Sequence, residues 1–217
     1  MRRPRVSGEV SFFLFTLSSH WNHFWYGRGM DDINNTRDAA LMRAVAAGDP
    51  ESFHEIMNRY LPIVSRTSFR ILCDRPDSEY VTVEVFSRVW SNAADYDGTR
   101  PFYEWILAMT CRLCRQRVFW RMMLRVLAIR PDIYVTSPPR TPWEDDYISK
   151  QAWEIFCRAS LKLTSRQRIV YTLCELECLS VSQVHYITGL RPSSITYSLM
   201  QARERVKSEL KRYGRVR

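Results

Sequence analysis

Between residues 100 and 125 six arginines, Arg100, Arg112, Arg115, Arg117, Arg121 and Arg125, are interleaved with Phe102, Tyr103, Trp105, Phe119 and Trp120. Guanidinium groups attract phosphates, and aromatic faces stack unpaired bases at about 1–3 kcal/mol each, so this mixture suits a single strand. Capturing extruded bases is how a protein without ATP favours an opened duplex. Arg100, Tyr103, Trp105, Arg112, Arg115 and Gln116 are the candidates for that contact. Some of the aromatics, Trp105 above all, are also candidates for the core, because buried aromatics dominate small cores.

A second polar set occurs in GLRPSSITYSLMQARERVKSEL, residues 189–210, which carries no charged side chain from Pro192 to Ala202. Ser193, Ser194, Thr196, Tyr197, Met200 and Gln201 lie opposite an apolar stripe. Their hydroxyls and amide suit phosphates and base edges, and Gln201 suits adenine. Arg191 before this segment, and Arg203, Arg205, Lys207, Lys211 and Arg212 within or after it, supply charge. The expected result is weak intrinsic affinity for DNA, made sufficient by a second contact.

The net charge of +9 is unevenly placed. Residues 1–30 sum to +3, 31–99 to −5, 100–130 to +6, 131–163 to −1 and 164–217 to +6. Two basic blocks separated by an acidic-to-neutral stretch suit a polyanion gripped at two places. Of the six cysteines, Cys111 and Cys114 form a C-x-x-C, and Cys174 and Cys178 lie four apart. Both pairs fall inside helical patterns with no Gly or Pro knuckle and no histidine at ligand spacing, so neither metal nor cofactor is expected. No catalytic centre is expected either. Reduced cysteines fit a cytoplasmic protein.

The elements that must position these residues are helices. Leu41, Met42 and Val45 precede AGDPESF, where Asp49 caps and Pro50 suits the first helical position. Phe53, Ile56, Met57, Tyr60, Ile63, Val64 and Phe69 recur at helical spacing. CDRPDSEY breaks the pattern, with Asp74 or Asp77 as cap, and Val81, Val85, Phe86, Val89 and Trp90 follow. A fourth helix from about Phe102 points Trp105, Ile106, Met109 and Leu113 inward. Thr164 with Gln167 and Ser180 with Gln183 have capping-box spacing. Val170, Leu173 and Leu176 line one helix; Val181, Val184 and Ile187 a short second; Ile195, Leu199, Ala202, Val206 and Leu210 a third opened by Pro192. That is helix-turn-helix spacing, with 192–210 as the recognition helix.

No alternating strand pattern competes, so the fold expected is all-α: two small helical domains joined by a Pro-rich linker, the C-terminal one a helix-turn-helix. The linker is RPDIYVTSPPRTPW, whose prolines forbid helix. Boundaries are expected at 30–125 and 147–217, with 126–146 as linker. Residues 1–29 read as an extension, disordered or not translated, with translation starting at Met30. Its apolar run from Val10 to Leu17 is too short to span a bilayer as a helix.

LTSRQRIVYTLCELECLSVSQVHYITGLRPSSITYSLMQARERVKSEL resembles region four of bacterial extracytoplasmic-function (ECF) sigma factors, members of the sigma-70 family, without gaps. LMRAVAAGDPESFHEIMNRYLPIVSR, DSEYVTVEVFSRVW and TRPFYEWILAMTCRLCRQRV resemble region two, in the same order. The resemblance implies a transcription initiation factor that binds core RNA polymerase, melts the upstream-ten element with region two and reads the upstream-thirty-five element with region four. It implies polymerase contact through Asp77, Glu79, Glu84, Phe86 and Arg88, and duplex contact through Arg191, Ser193, Ser194, Thr196, Tyr197, Gln201, Arg203 and Lys207. The partners it implies are core RNA polymerase, promoter DNA and an anti-sigma factor, with a monomer outside the holoenzyme and no stable membrane insertion.

Several positions depart from the family pattern. Tyr80 replaces an acid, Val83 a glutamine, Arg112 an asparagine and Gln116 an aspartate. Thr196 and Ser198 stand where basic residues are common, and His185 where a small one is usual. Promoter specificity therefore does not transfer. A stand-alone helix-turn-helix regulator, or a sigma-like interaction protein with reduced promoter activity, are the alternative readings.

Overall fold

The computed structural model describes residues 35–126 and 156–213. The extension 1–29, Met30 and nearly all of the linker with the acidic stretch after it lie outside the described residues, as does the side chain of Leu210. Four helices form the first lobe: α1 (Asn35–Ala46), α2 (Pro50–Leu72), α3 (Arg75–Ser91) and α4 (Phe102–Val126), with a 3-10 turn at Ala93–Asp95. In the second lobe, helical residues 156–161 precede α5 (Ser165–Tyr171), which runs into a π-helical turn at Thr172–Leu176; α6 (Val181–Thr188) and α7 (Pro192–Tyr213) follow. No strand occurs among the described residues.

Local chemistry sets most of the boundaries. Asp49 accepts from the Glu51 and Ser52 N–H groups at the head of α2, and Asp74 accepts from the Asp77 N–H at 2.9 Å at the head of α3. Asp74 is therefore the cap, and Asp77 is left free to pair elsewhere. Both capping boxes form, Thr164 with Gln167 and Ser180 with Gln183, each satisfying two otherwise orphaned backbone donors. Gly189 closes α6 at φ 70°, a left-handed conformation that costs a residue with a Cβ.

The core of the first lobe is built from Met42, Ile56, Tyr60, Val64, Val81, Val85, Phe102 and Ile106, and that of the second from Leu173, Val184, Ile195, Ala202 and Val206. Full burial of each large side chain stabilises the fold by roughly 1.5–3 kcal/mol. Phe102 meets Tyr60 edge-on at 4.8 Å and Tyr96 at 5.3 Å, so the start of α4 closes the first core. Buried Asp38 of α1 accepts from the Tyr60 hydroxyl at 2.6 Å and from Arg59 at 3.0 Å, tying α1 to α2.

Three side chains sit differently from expectation. Trp105, expected deepest among the aromatics of α4, is half-buried on the rim, tilted against Phe102 at 5.5 Å, while Phe102 and Tyr103 take the interior. Val181 is 38% exposed because it is the first residue of α6, just after the capping Ser180. Trp90 is 41% exposed, resting its edge on Phe53 at 5.1 Å from the end of α3.

The lobes are packed together. α6 lies along α4, and α5 reaches α2 and α4, so one apolar core runs across the junction. At its centre Glu177 is buried, accepting from Arg66 at 2.8 Å, Arg70 at 2.8 Å and the Thr67 hydroxyl at 3.1 Å, all on α2. Arg70 also donates to the Leu176 carbonyl at 3.0 Å. Burial pushes the Glu177 carboxyl up, but the charges and hydrogen bonds of Arg66 and Arg70 more than reverse this and hold it below its ordinary value.

Candidate nucleic-acid interface

The six residues of α4 and its approach that were expected to hold a melted strand divide into three groups. Arg112, Arg115 and Gln116 are exposed at i, i+3 and i+4, hence on one helix face, and no hydrogen bond or ion pair ties them to another described side chain. Trp105 stands half-buried beside them. Arg100 lies over the Tyr186 ring of α6 at 4.1 Å and 3.9 Å from Glu104, and Tyr103 is buried in the core. Arg117 and Arg121 are turned toward α3: Arg117 meets Asp77 at 2.7 Å, and Arg121 meets Asp74 and Asp77 at 2.6 Å each.

On α7, Ser193, Thr196, Tyr197, Arg203 and Lys207 are exposed, as is Arg191 before it, and Ser194 is half-buried. Several are held by their own chain. The Thr196 hydroxyl donates back to the Pro192 carbonyl at 3.1 Å. Gln201 accepts from the Gln167 amide at 2.7 Å and donates to the Tyr197 hydroxyl at 2.6 Å, so both ends of its amide are engaged. Arg203 pairs with Glu175, donating through Nε at 3.0 Å. His185 donates from Nδ1 to the Leu190 carbonyl at 2.7 Å, bracing the turn before α7.

The faces of α4 and α7 look into the same space. A cleft of about 990 Å³ between the lobes is lined on one side by Trp105, Arg112 and Arg115 and on the other by Arg166, Tyr197 and Gln201. Sequence reasoning did not single out Arg166 or Tyr186, because their importance comes from contact across the lobes and leaves no periodic trace.

On α3 the polymerase candidates also divide. Asp77 is buried against Arg117 and Arg121, and Phe86 is buried against Phe53 at 6.5 Å between ring centroids. Glu79 is exposed and pairs with Arg75 at 2.7 Å; Glu84 pairs with Arg88 at 2.8 Å. The outer face instead carries Tyr80 (54% exposed), Val83 (71%) and Trp90 (41%). With Ser87 these follow i, i+3, i+7 and i+10, a second helical stripe opposite Val81, Val85 and Val89. That spacing is visible in the sequence beside the inner stripe that the core buries.

Among the described residues no group of three or more His, Cys, Asp or Glu side chains is arranged to hold a metal ion. Cys111 and Cys114 are buried, and burial raises the Cys111 thiol well above its ordinary value and the Cys114 thiol to about 12. Burial also lifts Cys174 to about 11. No helix among the described residues is long and apolar enough to cross a membrane.

Fold and surface together define a two-lobed, all-helical protein whose second lobe carries a helix-turn-helix. No family model matches the chain. It is 34% identical over 89 residues to the ECF RNA polymerase sigma factor SigK of Mycobacterium ulcerans, covering 41% of this chain and 45% of that one. It is 24% identical over 165 residues to SigE of Mycolicibacterium smegmatis, covering 75% and 63%, and 20% identical over 186 residues to SigW of Bacillus subtilis, covering 78% and 95%. The match thus spans about half of that SigK and under two thirds of that SigE. Among solved structures, CnrH in complex with the cytosolic domain of CnrY superposes with a TM-score of 0.59 at 17% identity, over 81% of this chain and 97% of that one. RpoE in complex with the anti-sigma factor NepR from Bartonella quintana gives 0.60 at 16% identity, over 74% and 98%. The chain is thus similar in sequence to ECF RNA polymerase sigma factors and shares the fold of the two solved structures.

Proposed function

We propose that the chain is a transcription initiation factor: it docks on core RNA polymerase through α3, holds a melted promoter strand on α4 and reads an upstream duplex with α7. It acts in the cytoplasm and catalyses no reaction of its own. Its domains are 30–125 and 147–217, with 126–146 as the linker. The observation that carries this reading is the presence in one chain of a helix-turn-helix and of a second helix whose Arg112, Arg115 and Gln116 stand exposed on one face beside Trp105. A helix-turn-helix suffices for duplex recognition. A basic face edged by an aromatic suits an unpaired strand.

The same reading requires the lobes to part. The upstream-ten and upstream-thirty-five elements lie about 25 base pairs apart, about 85 Å at 3.4 Å per base pair. Arg112 and Gln201 line one cleft, so the packed arrangement suits the free protein and an extended one suits the promoter complex. Polymerase would dock on α3, where the exposed apolar stripe of Tyr80, Val83 and Trp90 favours protein over phosphate. An inhibitory partner, of the kind NepR is for RpoE, belongs to the same reading.

Retention on immobilised bacterial core RNA polymerase tests it. The chain is expected to be retained, and Glu79→Lys with Val83→Asp is expected to release it without unfolding. Duplex binding with no retention would make the chain a stand-alone regulator. Retention without promoter-dependent transcripts would make it a sigma-like interaction protein.

A further inference from the structure

The cleft between the lobes is basic on both walls. Arg112 and Arg115 of α4 line it from one side and Arg166 of α5 from the other. All three are exposed, and none has a hydrogen bond or ion pair among the described residues. The other arginines of the junction are engaged: Arg66 and Arg70 meet Glu177, and Arg168 donates to the Ile71 carbonyl at 3.0 Å and to the Ser160 carbonyl at 3.1 Å. Against the three free guanidiniums the cleft is lined by a single carboxylate, that of Asp95. Packing the lobes therefore gathers like charges around one space with too little countercharge. Ser198 of α7 marks the same space independently. It is 6% exposed and lines the cleft, yet its hydroxyl has no hydrogen-bond partner among the described residues. A buried hydroxyl in that state costs free energy that a bound acceptor would recover. Both walls also carry rings: Trp105, packed on Tyr96 and Phe102 at 5.5 Å each, and Tyr197, 58% exposed.

We propose that this cleft binds a free purine nucleoside triphosphate, which holds the two lobes in their packed arrangement. Its volume of about 990 Å³ lies within the range of small-ligand sites. The phosphates take Arg112, Arg115 and Arg166, whose planar donors match phosphate oxygens. The base lies against the Trp105 and Tyr197 rings, since every base has a face that stacks on an aromatic side chain. The Ser198 hydroxyl donates to an acceptor of the ligand. Because all three guanidiniums are already exposed, the nucleotide enters without any opening of the junction. Its contacts come from both lobes, so it binds the packed form more tightly than a parted one and shifts the population by that difference. The bound nucleotide covers Arg112 and Arg115 and so competes with a single strand for α4. Binding needs only the packing seen here; the competition alone rests on the reading of α4 as the surface for a melted strand.

Calorimetric titration of the full chain, with neither polymerase nor promoter DNA present, tests it with ATP, GTP, adenosine and inorganic tripolyphosphate as probes. The expected result is saturable binding of ATP or GTP at one site per chain. Adenosine and tripolyphosphate should each bind about tenfold more weakly or worse, because each lacks half of the contacts. Arg166→Ala and Ser198→Ala should each weaken the nucleotide by about tenfold, as the loss of a hydrogen bond to a charged group does. Neither side chain has an internal partner, so both variants should keep the fold. In thermal unfolding the nucleotide should raise the midpoint of the wild type more than that of either variant. No saturable binding of ATP or GTP, tripolyphosphate bound as tightly as the nucleotides, or nucleotide affinity unchanged in both variants would each overturn the proposal. Binding that appears only when Glu144→Gln, Asp145→Asn and Asp146→Asn are combined would assign the cleft to the chain's own acidic stretch and overturn it as well. Failure of this titration leaves the polymerase and promoter reading standing, and failure of retention on polymerase leaves the expected nucleotide binding unchanged.

Discussion

α4 and α7 both offer arginines and an amide at exposed helix positions, yet they differ in what those groups are already doing. On α4, Arg112, Arg115 and Gln116 have no hydrogen-bonded or charged partner among the described side chains. On α7, Gln201 bridges Gln167 and Tyr197, and Arg203 is paired with Glu175. Residue type alone would assign the two helices equal capacity for nucleic acid. The internal bonds make α4 the ready surface and α7 the one that must exchange partners first. Such exchange reduces the net gain, since each new hydrogen bond replaces one already made.

The largest effect is expected where the two faces are brought together. Glu177→Ala leaves Arg66 and Arg70 buried without their carboxylate, and breaking a buried pair from one side costs about 3–5 kcal/mol. Denaturant unfolding should show that loss, and small-angle scattering should show the lobes apart; an unchanged compact particle would mean that apolar packing alone holds them. Acid should act in the same direction. Because the folded Glu177 carboxyl lies below its ordinary value of 4.5, its contribution is fully present above that value and is lost as pH falls through the lowered one. The expected expansion in acid should be absent in Glu177→Gln.

Next in size is the ready surface itself. Arg112→Ala combined with Arg115→Ala should lower the salt slope of binding to a forked promoter by about 1.4, at about 0.7 per phosphate contact on a single strand. An unchanged slope would remove α4 from the interface. On α7 the expected effect is smaller. Gln201→Ala should cost about 1 kcal/mol of stability through its two internal bonds and leave base preference unchanged. A change of 1–3 kcal/mol at one base position would show that the amide gives up those bonds for adenine and would erase the contrast. Smallest is Arg203→Ala. Its exposed pair with Glu175 is worth no more than about 1 kcal/mol, and its duplex salt slope should fall by less than about 0.9.

Much of the fold was legible because it is written locally. Asp49, the two capping boxes and Gly189 mark helix ends by chemistry confined to four or five residues. Ile195, Leu199, Ala202 and Val206 repeat at a spacing that only a helix buries together. The π-helical turn at Thr172–Leu176 was not legible, since it inserts an extra residue per turn without a sequence marker. Neither was Glu177, which meets Arg66 and Arg70 more than 100 residues away in the chain. For the candidate site, the arginines of α4 are visible in the sequence as a group, but which of them face α3 follows from Asp74 and Asp77 and not from spacing.

Run-off transcription from a promoter library, with bacterial core RNA polymerase reconstituted with this chain, tests the central claim most directly. The account predicts discrete transcript starts that require the chain, share upstream sequence at two separated elements, and weaken when Arg112 and Arg115 are replaced by alanine. Starts that are identical with and without the chain, in the presence of demonstrated polymerase binding, would contradict it.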